Sequence, residues 1–114
     1  MNEFLTSIKA VSEGLRMRIV LLLLDDEACV CELMEVFHMA QSRLSHHLIA
    51  LRDAGLLQDD KRGKWNYYRA DTKKMSALNR DLLRSLSGWL DDDARVRKDR
   101  AALAKARKRT RICC

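Results

Sequence analysis

The sequence predicts a mainly α-helical fold interrupted once by a β-hairpin, and three observations carry that prediction. Proline is absent and glycine scarce, while Leu, Arg, Ala and Met are frequent, a composition that favours helix over sheet. Apolar residues recur at helical spacing along most of the chain. Between Leu56 and Asp71 the period changes: "LLQDD" and "KWNYYRAD" flank "KRG", which reads as a strand, a tight turn at Gly63 and an aromatic-rich strand.

Taken in order, Phe4, Leu5, Ile8 and Val11 predict a short amphipathic helix over 3–11. Ser12 is placed to cap a second helix running through Leu24, which the acidic "DDE" at 25–27 breaks. A third helix is expected over 29–37, with Val30, Leu33 and Phe37 on one face. A fourth runs from about Ala40 to Ala54, where Gly55 ends it. After the hairpin the helical period resumes at Thr72, and Met75, Leu78, Leu82, Leu86, Trp89 and Leu90 form a long apolar stripe. Residues 91–112, "DDDARVRKDRAALAKARKRTRI", fit either a highly charged helix or a solvated arm.

At 114 residues the chain has the size of one small domain, expected over 1–90, with 91–114 a basic tail ending in the vicinal pair Cys113–Cys114. Its net charge of +6 suits a polyanionic partner. Residues 1–90 hold 13 basic and 12 acidic side chains, whereas 91–114 hold 9 and 4, so the excess sits in the tail and the body's cations count only where they cluster. The early apolar run Ile19–Leu24 is far too short to span a bilayer and nothing resembles a signal peptide, so a cytoplasmic location and no membrane partner are expected. In a reducing compartment the four cysteines read as reduced thiols, metal ligands or redox sensors rather than structural disulfides.

With the buried face of the fourth helix centred on Leu44 and about 100° allotted per residue, Leu48, Leu51 and Ala40 fall inward. Ser42 and His46 point nearly opposite, with Arg43 and Ser45 on the flanks and Gln41 at the helix start. Side chains of this kind reach base edges and phosphates in a major groove. His47 falls on the core side, as a packed, hydrogen-bonded residue. Lys61, Arg62 and Lys64 crowd the hairpin tip, where a wing would lie along the phosphate backbone. A helix pair followed by a basic hairpin is the winged helix-turn-helix arrangement, whose partner is double-stranded DNA.

The stretch "LRMRIVLLLL … CVCELMEVFHMAQSRLSHHLIALRDAGLLQDDKRGKWNYYRAD" resembles the ArsR/SmtB family of metal-responsive repressors, over residues 3–90. The motifs "LSHHL…L..AGLL" and "G.W.YYR" are specific to that family. The resemblance implies a homodimeric winged-helix protein that binds an operator and leaves it when an ion binds. It also implies a dimer interface built from the stripes Phe4–Val11 and Met75–Leu90, which are too apolar to be left in water.

Within that family, "CVC" heading the helix before the recognition helix is the signature of thiolate sensing of arsenite, antimonite, cadmium or lead, in keeping with the preference of soft thiolates for thiophilic ions. Residues i and i+2 of a helix stand about 200° apart. Cys29 is therefore expected near the buried face and Cys31 outside it, so that one ion takes both only by loosening the first turn. That deformation would shift the recognition helix against its twofold mate and weaken operator binding.

The best-known arsenite-sensing version reads Cys-Val-Cys-Asp-Leu-Cys; here Met34 stands in the third thiol's place, a core side chain rather than a ligand. Cys113 and Cys114 are the candidates for the missing ligand, or a separate vicinal site. The cadmium/lead branch adds cysteines near the N-terminus, absent here, and the family's zinc site uses histidine on the last core helix, where 72–93 has none. Arsenite or antimonite is thus the expected inducer, with cadmium or lead second and no organic cofactor. A repressor sensing oxidant or persulfide through the same thiols is the alternative. No glycine-rich phosphate loop or acid–base constellation is present, so the chain is not expected to be an enzyme.

Overall fold

A computed structural model describes residues 1–110; Cys113 and Cys114 lie outside the described residues. Among the described residues, six α-helices and a three-stranded antiparallel sheet share one hydrophobic core. The central helix is α2 (Gly14–Asp25), whose run Ile19–Leu23 is buried throughout. A helix apolar all round has to be enclosed, and α1 (Asn2–Val11), α4 (Gln41–Asp53), α5 (Ala77–Leu90) and α6 (Ala94–Thr110) pack around it.

Helix α1 does not present its expected stripe to this core. Ser7, Ala10 and Val11 are buried, while Phe4 and Leu5 stay nearly half exposed. Ser12 is a C-terminal residue and not the expected N-cap: its hydroxyl donates to the Lys9 carbonyl at 2.9 Å, and α2 starts only after an extended Glu13.

Ala28–Cys29 form a two-residue strand, β1, so α3 (Val30–Phe37) begins one residue later than expected. Its C-cap His38 adopts φ 51°, turning the chain into α4. Leu44, Leu48 and Leu51 are fully buried as the periodicity requires, but Ala40 is the exposed N-cap and takes no part in that face. Gly55 ends α4 with φ 80°: its N–H donates to Arg52 O at 2.9 Å, and that of Leu56 to Leu51 O at 3.0 Å. This is the Schellman pattern, which needs the left-handed conformation that glycine adopts without strain.

Strands β2 (Gln58–Arg62) and β3 (Trp65–Arg69) form the hairpin, with Gly63 at φ 63° in the turn. The sheet order is β1-β3-β2, and Cys29 pairs with Tyr67. The helical period does not resume smoothly at Thr72. A 3-10 turn (Thr72–Lys74) intervenes, and α5 starts after Ser76, whose hydroxyl accepts the Asn79 N–H at 3.2 Å. Asn79, Leu83 and Leu86 are the buried line of α5, leaving Trp89 on the outside.

Residues 94–110 are a packed helix rather than a solvated arm. Val96, Leu103 and Ala106 of α6 join the core, and Arg18 of α2 grips the buried Asp99 through two hydrogen bonds of 2.7 and 2.9 Å.

Candidate functional site

Helices α3 and α4 with the β2–β3 hairpin give the winged helix-turn-helix arrangement. Gln41, Ser42, Arg43 and His46 are exposed along one side of α4, with Ser45 half-buried beside them. His47 faces inward. Its Nδ1 accepts from Arg16 Nε at 3.0 Å, and burial pushes its pKa below the ordinary value, so the ring sits neutral between α4 and α2.

On the wing, Lys61, Arg62 and Lys64 are all exposed. Arg62 is already engaged: it donates to both carboxylate oxygens of Glu27 (2.8 and 2.7 Å) and to Asp60 (3.0 Å), and it lies over the Tyr67 ring. That pairing holds the Glu27 carboxyl below its usual range. Among the described residues no salt bridge engages Lys61 or Lys64, and Lys64 lies beside the Trp65 ring.

The thiol pair straddles the junction of β1 and α3. Cys29 is 1% exposed, with extended backbone (φ −84°, ψ 164°) as the N-cap of α3, and Cys31 is half-buried in the first turn. The helical separation expected between them therefore does not apply, because Cys29 belongs to the sheet. Its burial follows from strand pairing with Tyr67 rather than from a helix face. The Cys29 N–H donates to Glu32 Oε1 at 2.9 Å, half of a reciprocal capping box. Met34 packs against the core, as expected.

Around this junction runs an acidic ladder, Asp26, Glu27, Glu32 and Glu35, which α6 reads with arginines. Arg107 donates to the Asp26 carboxylate and to the Glu27 carbonyl, and its Nε lies 3.6 Å from Glu32 Oε2. Arg107 holds the Asp26 carboxyl below its ordinary value. Arg109 pairs with Glu35 at 2.7 Å. Periodicity arguments passed over Glu32, Arg107 and Arg109. Glu32 was readable, since Cys-x-x-Glu at a helix start mimics the Ser/Thr-x-x-Glu capping box; the arginines were not, because their partners lie some 75 positions away in the chain.

Among the described residues, no three His, Cys, Asp or Glu side chains converge as a metal site. No helix of these residues is long and apolar enough to cross a membrane.

Residues 13–59, from just before α2 into β2, match the family described as "Bacterial regulatory protein, arsR family". The chain is 35% identical over 101 residues to the arsenic resistance transcriptional regulator ArsR1 of Pseudomonas putida, covering 82% of this chain and 79% of the relative. It is 33% identical over 79 residues to an arsenical resistance operon repressor of Bacillus subtilis, covering 68% and 75% respectively. HlyU from Vibrio cholerae superimposes with a TM-score of 0.69 at 27% identity, covering 80% of this chain and 95% of that one.

Proposed function

Because the chain belongs to the arsR family of bacterial regulatory proteins, we propose that it is an arsenite- or antimonite-responsive transcriptional repressor, holding its operator as a homodimer and releasing it when thiolates capture the metalloid. The observation that carries this reading is the position of Cys29: it is at once a residue of the sheet that bears the wing and the N-cap of the helix that precedes α4. A ligand that draws Cys29 and Cys31 together deforms both routes to the DNA.

The donor set fits a thiophilic ion. Two thiols flank one residue at a helix start, and thiolates favour soft ions over oxygen-loving ones. Trivalent arsenic would supply strong bonds to sulfur. The chain's own part is to present Cys29 and Cys31 at the junction and to bring the third sulfur from Cys113 or Cys114. Cys113 follows Thr110 by three residues, at most about 10 Å of extended chain.

DNA contacts are assigned to Gln41, Ser42, Arg43, Ser45 and His46 of α4 in the major groove, and to Lys61, Arg62 and Lys64 of the wing on the phosphate backbone. The homodimer is assigned to the faces of α1 and α5 that this core does not use, where Phe4, Leu5 and Trp89 stand exposed. A cytoplasmic location goes with this role.

The test is fluorescence anisotropy on the chain's own upstream promoter, titrated with arsenite, antimonite, cadmium and zinc under reducing conditions. Cys29→Ser/Cys31→Ser is the informative variant, because serine keeps a capping side chain at 29 while removing the soft donors. Release by arsenite or antimonite that this variant loses is the expected result. Release by cadmium alone overturns the choice of ion, and promoter binding that no ion relieves overturns the ion-sensing reading itself.

A further inference from the structure

The cations of α6 fall into two sets. Arg107 binds the Asp26 carboxylate and approaches Glu32, and Arg109 pairs with Glu35, so these two fasten the helix to α3 and to the junction before it. Arg97, Lys98, Lys105 and Lys108 make up the other set. All four are exposed, and among the described residues no salt bridge engages them. At about 100° per residue they lie within an arc of about 100° of the helix, turned away from the buried Val96, Leu103 and Ala106.

No acid on that face offsets them. From Ala94 to Thr110 the single acidic residue is Asp99, buried against Arg18. A helix surface that serves solubility alone mixes both signs, whereas a face of one sign repels itself and draws a polyanion. Core packing and the Arg18–Asp99 pair make this charge a fixed surface. The face is also continuous with the wing, because Lys108 lines the same cleft as Arg62 and Tyr67 of the hairpin. Arg97 lies about 16 Å further back along the helix at 1.5 Å per residue, a length over which duplex DNA presents about ten charges.

We propose that the outward face of α6, through Arg97, Lys98, Lys105 and Lys108, is a third DNA-contacting surface that holds backbone phosphates of the duplex beside the wing. The proposal rests on the reading that α4 and the wing engage operator DNA. Lysine and arginine on phosphate position a duplex without reading its sequence. The face therefore strengthens specific and non-specific complexes alike and leaves the choice of bases to α4.

The test is fluorescence anisotropy of the full-length chain on its own upstream promoter and on a scrambled duplex of equal length, across a range of salt. Lys105→Gln/Lys108→Gln is expected to weaken both complexes by a similar factor, about ten-fold or more at low salt. The slope of log K against log[salt] should become shallower by at least about 1.8, one phosphate for each subunit of a dimer. Lys105→Arg/Lys108→Arg should keep the wild-type slope. Both side chains are exposed, so an unmoved melting temperature separates a lost contact from a lost fold.

Lys73→Gln/Lys74→Gln removes the same charge from the exposed turn before α5, and its effect on the slope should be less than half as large. An unchanged slope in the α6 variant overturns the proposal and leaves the face for an acidic protein surface. A loss matched by the Lys73/Lys74 variant overturns it too, by reducing the effect to net charge. So does a loss confined to the promoter, which would put sequence reading on α6. If wild type binds neither duplex, the operator reading fails first and takes the proposal with it.

Discussion

Asn79 of α5 donates through Nδ2 to the carbonyl of Ala54 at 2.9 Å, joining the outer helix to the end of the helix assigned to the major groove. The Oδ1 of Asn79 accepts the buried Ser7 hydroxyl of α1, so a single amide ties three elements. Asn79→Leu removes both partners at once while keeping the volume, leaving the Ser7 hydroxyl and the Ala54 carbonyl without theirs. An unmet buried polar group costs roughly 1–3 kcal/mol, so a loss of about 2–4 kcal/mol in urea unfolding is expected. Gly55→Ala perturbs the same knot from the other side: its φ of 80° disfavours a side chain, and a Cβ there would stand 2.9 Å from Asn79 Nδ2.

The Glu27–Arg62 pair sets a second expectation. Arg62 is the wing cation with acidic partners on both flanks, Glu27 and Asp60, and Glu27 lies two residues before Cys29. Glu27→Gln leaves a side chain of the same size with no charge to hold the guanidinium. If Arg62 then reaches phosphate, promoter affinity should rise at low salt, and the slope of log K against log[salt] should steepen by about 0.9, one more neutralised phosphate. An unchanged slope would show that losing the Glu27 charge adds no phosphate contact at Arg62.

Much of this architecture was legible in the sequence because it is written in local patterns. The hairpin declared itself by Gly63 and the aromatic strand, and the buried side of α4 by Leu44, Leu48 and Leu51. What escaped notice depends on partners distant in the chain. Strand β1 is two residues long and exists only because β3 pairs with it, so helical periodicity alone places Cys29 in the helix. The stripes of α1 and α5 are apolar as expected, but Phe4, Leu5 and Trp89 stand exposed, while Ser7 and Asn79, which a hydropathy pattern discounts, are buried. The charged composition of 91–110 left helix and arm undecided; Val96, Leu103, Ala106 and the Arg18–Asp99 pair decided it.

His47 makes stability depend on pH in a defined window. Its pKa is lowered from the ordinary 6.5, chiefly by burial, with Arg16, His46 and Arg43 opposing protonation and Glu13 favouring it. The folded state therefore binds this proton less readily than the unfolded chain. Nothing is lost well above pH 6.5; below it, stability falls as the unfolded state takes up the proton, and the loss levels off only beneath the folded pKa. His47→Gln keeps an acceptor for Arg16 and cannot titrate, so its melting temperature should change less between pH 7.5 and 5.5 than that of wild type. Equal changes would assign the acid sensitivity of this range to other groups.

Among the described residues Trp89 is the most exposed large hydrophobic side chain after Met1, at 77%, and with Phe4 and Leu5 it marks the surface assigned to the twofold partner. An indole left in water contributes little to its own fold, so Trp89→Glu should leave monomer stability nearly unchanged in denaturant. Across an interface the same change removes an aromatic anchor and inserts a charge, and such positions commonly carry about 2 kcal/mol or more. The dimer dissociation constant measured by sedimentation should then rise about thirty-fold or more. Promoter binding should weaken alongside it, because two half-sites at fixed spacing need two recognition helices held together. Unaltered self-association would place the end of α5 outside the interface and leave Phe4 and Leu5 of α1 as its remaining apolar anchors.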